Sequence, residues 1–187
     1  MVVGFFPVKS LTRMVHLKAA IQAFEALAPS QLAADWDNTG LLVEPALEDG
    51  ETHDIKKIVV TNDLSLPVYE EARKLNASLV YSYHPLLFRP VKTLTMSTSW
   101  TVGVAMRCIK NNIAVYCPHT AIDAIPGGNN DWLLDAFSDY GITSKRPIEP
   151  ASFKKLPVTP NLFECIALVK NAPIESMPGA KILKQNK

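Results

Sequence analysis

Ser78–Phe88, SLVYSYHPLLF, opens as an apolar run and stops abruptly on a histidine and a proline. Valine and tyrosine favour a pleated, buried strand, and Pro85 cannot donate to a continuing ladder. Two neighbouring stretches repeat the pattern. IKKIVVTND (55–63) is a β-branched run ending in polar residues, and IAVYCPHTAID (113–123) is an apolar run stopped by a proline and a histidine. Between the three runs lie two helical stretches. SLPVYEEARKLNA (65–77) has Ser65 as N-cap, Pro67 in the first turn and Glu70 and Glu71 near its start, and SWTVGVAMRCIKNN (99–112) follows the second run.

Upstream, HLKAAIQAFEAL (16–27) sets Leu17, Ile21, Phe24 and Leu27 on one helical side. WDNTGLLVE (36–44) is a polar turn that passes through Gly40 into an apolar strand. Downstream, GGNNDWLLDAFSDYGI (127–142) reads as a glycine turn and a helix from about Asn129 to just before Gly141. The order is α-β-β-α-β-α-β-α, with the alternation of parallel βαβ units from Ile55 onward. Right-handed crossovers then lay the strands side by side. The expected fold is α/β: a mainly parallel sheet with helices on both faces, in three layers. Residues 1–15 read as an N-terminal extension, 16–145 as the α/β domain, and 146–187 as a proline-rich linker with an incomplete second segment. KRPIEPASFKKLPVTPN (145–161) holds four prolines, and LFECIALVK (162–170) suits one more strand.

Hydrophobic residues form 48% of the 187, enough for a sizeable core. Nineteen basic against eighteen acidic residues, a net charge of +1, argue against a broad phosphate-binding face and so against direct nucleic-acid binding. The three cysteines are odd in number and lack CxxC spacing, as in a reduced intracellular protein. No apolar run approaches the roughly 18 residues that span a bilayer. The first acidic residue is Glu25, preceded by Lys9, Arg13 and Lys18. That start admits a mitochondrial leader, with Met14 as an alternative first residue, so cytoplasm is expected with mitochondrion or nucleus as alternatives.

Three strand ends carry the chemistry: TND, SYHP and CPHTAID. In an open parallel sheet, ligands bind beyond the carboxyl ends of the strands. Asp63, His84, His119 and Asp123 would share that edge. Imidazole and carboxylate together suit a divalent metal, with a second histidine supporting a ligand from behind. On spacing alone the plainer readings stand first: a histidine end-stop, and an aspartate capping a helix. No compact ligand motif such as HExxH is present. WDNTG is either a turn with Trp36 packed in the core and Asn38 bonding backbone, or a contributor of Asp37 and Asn38 to the same edge. PGGNND suits a helix-entry turn better than a phosphate cradle, lacking the Walker lysine. Cys117 reads as a buried strand residue. No residue is assigned as catalytic.

WDNTGLLVE, TNDLS, YSYHPLLF and HTAIDAIPGGNNDWL, together and in order, resemble the Nif-three-like family (Ngg-one-interacting factor three), also called GTP cyclohydrolase I type 2 homologues. The resemblance covers roughly residues 16–150. It implies an α/β protein assembled as a toroidal homohexamer. It also implies a dinuclear centre of zinc, iron or manganese and a metal-dependent hydrolase acting on a nucleotide-like substrate. The family takes its name from an association with a transcriptional regulator, which implies such a protein as partner. His84 matches the second histidine of the family's His-His-Pro motif and Asp123 the aspartate of its His-Thr-x-x-Asp motif, which implies both as metal ligands. His119, Tyr83, Asp63 and Asp37 fall behind them or at the site edge. Two departures matter. Tyr83 stands where many bacterial members carry the first histidine, as in the eukaryotic branch. The family's remaining ligands, a histidine and a glutamate, come from near the C-terminus of a longer chain, and no histidine follows His119 here. A C-terminally truncated chain with an incomplete metal site and little hydrolase activity is expected, the alternative being a non-catalytic protein-binding scaffold.

Overall fold

The computed structural model describes residues 4–5, 15–48, 51–147 and 165–169. Its strands are β1 (Gly4–Phe5), β2 (Val15–His16), β3 (Gly40–Val43), β4 (Asp54–Ile55), β5 (Ile58–Thr61), β6 (Leu79–Ser82), β7 (Ala114–Cys117), β8 (Ile142–Pro147) and β9 (Cys165–Val169). Its helices are α1 (Leu17–Leu27), α2 (Leu66–Lys74), α3 (Trp100–Lys110), α4 (Thr120–Asp123) and α5 (Asn129–Asp135).

The main sheet has the order β1-β5-β6-β7-β3. The apolar runs around SLVYSY form its parallel centre, with Val59 opposite Val80 and Val80 opposite Val115. The sheet as a whole is mixed, because both edge strands run antiparallel to their neighbours.

Both crossovers advance the same way across the sheet, so right-handedness puts α2 and α3 on the same face. There Val68, Tyr69 and Ala72 of α2 and Val104, Ala105 and Cys108 of α3 pack on Val59, Val80 and Val115. The alternating positions Leu79, Ala114 and Tyr116 face the other way, onto Leu17 and Ala20 of α1. In β3, Leu41 pairs with Tyr116 and Val43 with Val115, so Leu42 is a bulged extra residue. Leu42 and Val43 therefore both join the α2–α3 side while Leu41 joins the α1 side.

Some expectations shift. Leu27 is 59% exposed, whereas Ala28 is buried. At ~100° per residue, Ala28 falls on the centre of the Leu17–Ile21–Phe24 stripe and Leu27 on its border. Ser65 occupies the N-cap of α2 without a side-chain bond. The IKKIVVTND run splits into β4, which pairs with β2, and β5. Lys145–Pro147, read as the start of a linker, belong to β8, which pairs with β9; residues 148–164 of the proline-rich tract lie outside the described residues. The strand expected in LFECIALVK is present as β9. Among the described residues no helix is long and apolar enough to cross a membrane.

Candidate functional site

The parallel ladder continues past the end of β6: the Tyr83 amide donates to the Thr61 carbonyl (2.9 Å) and the His84 amide to the Asn62 carbonyl (2.8 Å). The Ser82 hydroxyl turns back to donate to the His84 carbonyl at 2.8 Å. These bonds hold Tyr83 and His84 at the carboxyl edge although Pro85 ends the strand. His84 Nδ1 lies 2.9 Å from Asp63 Oδ1, an exposed pair with side chains 47% and 68% accessible. A carboxylate facing Nδ1 assigns the proton to that nitrogen and leaves Nε2 with the lone pair.

β3 brings in Asp37. Because this edge strand runs antiparallel to β7, its amino end meets the carboxyl end of β7, with Gly40 opposite Cys117. The Asp37 carboxylate has no solvent exposure and lies 2.6 Å from His119 Nδ1. It also accepts the Asn38 amide (2.7 Å), the Thr120 amide (3.1 Å) and the Thr120 hydroxyl. Burial alone would raise its pKa, but the donors from Thr120, His119 and Asn38 outweigh it and hold the carboxyl below its ordinary 3.8. His119 sits at φ 33°, ψ −122°, a left-handed conformation rare outside glycine. The contacts to Asp37 and the α4 turn fix it there.

Asp123 closes α4 instead of capping a helix. Its two oxygens accept the Tyr83 hydroxyl at 3.0 and 2.9 Å, and Oδ1 also accepts the Asn129 amide nitrogen at 3.0 Å. Burial, and next the bond to Asp123, push the Tyr83 phenol up to about 12, so it remains a neutral donor. The PGGNND turn supplies this contact as a helix entry: a Cβ on Gly128 would lie 2.0 Å from the Ile122 carbonyl oxygen. Asn130 reaches the Asp123 carbonyl at 3.1 Å.

Three rings converge. Tyr83 and His84 centroids are 4.8 Å apart, Tyr83 and His119 5.6 Å, and His84 and His119 5.7 Å. Trp36, expected in the core, is 65% exposed and meets Phe88 and His119 edge-on, each at 6.1 Å. Asn38 does bond backbone, donating to the Leu87 carbonyl. The structure thus brings Tyr83 to Asp123, Asp37 to His119 and Asp63 to His84 along one edge. Thr120, Asn129 and Phe88 are additional members; each lies inside a quoted motif (HTAID, PGGNND, YSYHPLLF), but nothing in those motifs alone gave it a role.

The donor chemistry of this edge does not close a metal centre. Among the described residues no group of three or more His, Cys, Asp or Glu side chains could hold an ion. A catalytic zinc takes three protein ligands, whereas the two expected ligands, His84 and Asp123, would supply only two. Asp123 is already engaged by two donors, the Tyr83 hydroxyl across both its oxygens and the Asn129 side-chain amide.

Residues 15–183 match the family model described as Duf34/NIF3 (NGG1p interacting factor 3). NIF3-like protein 1 of Drosophila melanogaster is 46% identical over 134 residues, which cover 72% of this chain and 43% of the fly protein. The GTP cyclohydrolase 1 type 2 homolog of Halalkalibacterium halodurans is 30% identical over 146 residues, covering 78% of this chain and 38% of the bacterial one. Among solved structures, a Bacillus cereus protein related to NIF3 superposes with a TM-score of 0.63 at 29% identity, covering 74% of this chain and 36% of that one. The chain spans about two fifths of the length of these curated relatives.

Proposed function

The chain belongs to the Duf34/NIF3 family, and from that premise we propose that it furnishes one half of a divalent-cation site and has little hydrolase activity by itself. His84 and Asp123 are the two donors. The observation that carries this reading is their placement at one carboxyl edge where, among the described residues, no group of three or more His, Cys, Asp or Glu side chains could hold an ion. Asp63 orients His84, Asp37 fixes His119 behind it, and Tyr83 with Asn129 hold Asp123. An imidazole with a carboxylate suits zinc, iron or manganese. The name of the bacterial relative supports a nucleotide-like substrate for the complete site. The test is a Mn²⁺ titration of the full chain, read by the electron paramagnetic resonance of the free ion. Weak binding that disappears in both His84→Ala and Asp123→Ala is expected; binding indifferent to both changes would overturn the assignment.

A second reading, a binding scaffold, is favoured by large apolar side chains left exposed, of which Trp36 and Phe88 meet His119. Leu94 and Trp36 are each 65% exposed, Trp100 64%, Met96 50% and Phe88 47%. Large apolar side chains gathered on a surface mark association. Further copies of the chain, up to the family hexamer, and a transcription-regulator protein are the proposed partners, the latter supported by the family description. In this reading Leu94→Glu with Trp100→Glu lowers the mass measured by analytical ultracentrifugation while Mn²⁺ affinity stays unchanged. An unchanged mass distribution and unchanged partner capture would remove the scaffold reading.

A further inference from the structure

We propose that the Tyr83 phenol is a lock that keeps a divalent cation off Asp123, so that this side chain sets the weakness of the half-site. The inference rests on the His84–Asp123 reading above and goes beyond it. The phenol oxygen is nearly equidistant from the two carboxylate oxygens, at 3.0 and 2.9 Å. A donor so placed lies on the bisector of the carboxylate, which is where a cation bound through both oxygens would sit. Hydrogen bonds to a carboxylate are among the strong ones, and this carboxylate takes a second donor, Asn129, at 3.0 Å.

The phenol is also hard to displace. Its backbone is tied to Thr61 at 2.9 Å, and its carbonyl accepts the Cys117 thiol at 3.1 Å. Its ring packs against both His84 and His119, with centroids at 4.8 and 5.6 Å. A cation approaching Asp123 must therefore displace the Tyr83 hydroxyl, whose ring is also in contact with both histidines.

The test is a Mn²⁺ titration of the full chain near neutral pH, comparing the unmodified protein with Tyr83→Phe, Tyr83→Leu and Tyr83→Phe/Asp123→Asn. Near-ultraviolet circular dichroism confirms that each variant is folded, and the leucine change carries the test if the phenylalanine one is not. Removing the hydroxyl is expected to tighten binding roughly tenfold or more, the worth of a hydrogen bond to a charged group. The added Asp123→Asn change should abolish that gain. Unchanged or weaker binding in the folded Tyr83 variants would overturn the lock, and weaker binding would make the phenol a ligand. Failure of the underlying half-site looks different: His84→Ala and Asp123→Ala would then leave Mn²⁺ affinity untouched in every background.

Discussion

Asp37 shows how much one side chain organises at this edge. With no solvent exposure it satisfies donors from three residues, His119, Thr120 and Asn38. Asp37→Ala would leave those donors unpaired in a water-poor place and should cost about 2–3 kcal/mol in urea unfolding. The pH dependence follows from its lowered pKa. Unfolded, the carboxyl takes up protons near 3.8; folded, it does so only at lower pH. Its stabilisation is therefore complete above pH 3.8 and is lost as pH falls through the lower folded value. Asp37→Asn should lose less stability than the unmodified chain between about pH 6 and pH 3; parallel slopes would contradict this. The sequence placed Asp37 at the edge only as one of two options, since a polar turn before a strand is equally a solvent turn. Trp36 misled for a related reason: tryptophan is usually buried, and only the neighbours Phe88 and His119 explain its exposed position.

At the level of elements, the parallel centre was legible because strand and helix alternate with clear periodicity and every junction ends in polar or breaker residues. The direction of β3 was not, because a four-residue apolar strand carries no mark of the partner it chooses. That direction decides whether WDNTG reaches the site. The short helix α4 was equally invisible, having too few residues for a helical period. Gly128 tests the element that braces Asp123. A Cβ there would meet the Ile122 oxygen at 2.0 Å and the Ile125 oxygen at 2.9 Å, so Gly128→Ala must displace the start of α5. A loss of about 2 kcal/mol or more is expected in thermal unfolding. Gly141→Ala is the control: φ is +71° with nothing within 4 Å of an added Cβ, so only the backbone cost of about 1 kcal/mol applies. Equal losses at the two positions would contradict the close approach at Gly128.

The whole molecule packs α1 against one face of the sheet and α2 with α3 against the other, with Cys108 and Cys117 fully buried. Burial pushes each of those thiols up to about 12, so neither presents appreciable thiolate in the folded protein. Iodoacetamide should label them only when urea opens the whole domain, as read by mass spectrometry of the cysteine peptides; labelling well before the unfolding transition would show that the sheet opens locally. Membership of the Duf34/NIF3 family was legible from four short motifs because each lies at a strand end or helix entry. On the proposed reading, completeness of the site is a property of the assembled donors, and His84 with Asp123 would fall short of the three that a catalytic zinc takes from its protein. The most direct measurement is elemental analysis of the purified full chain after loading with zinc or manganese and exhaustive dialysis. A metal content far below one ion per chain is expected, with no opening of GTP. Near-stoichiometric metal that survives dialysis, together with GTP turnover, would contradict the half-site.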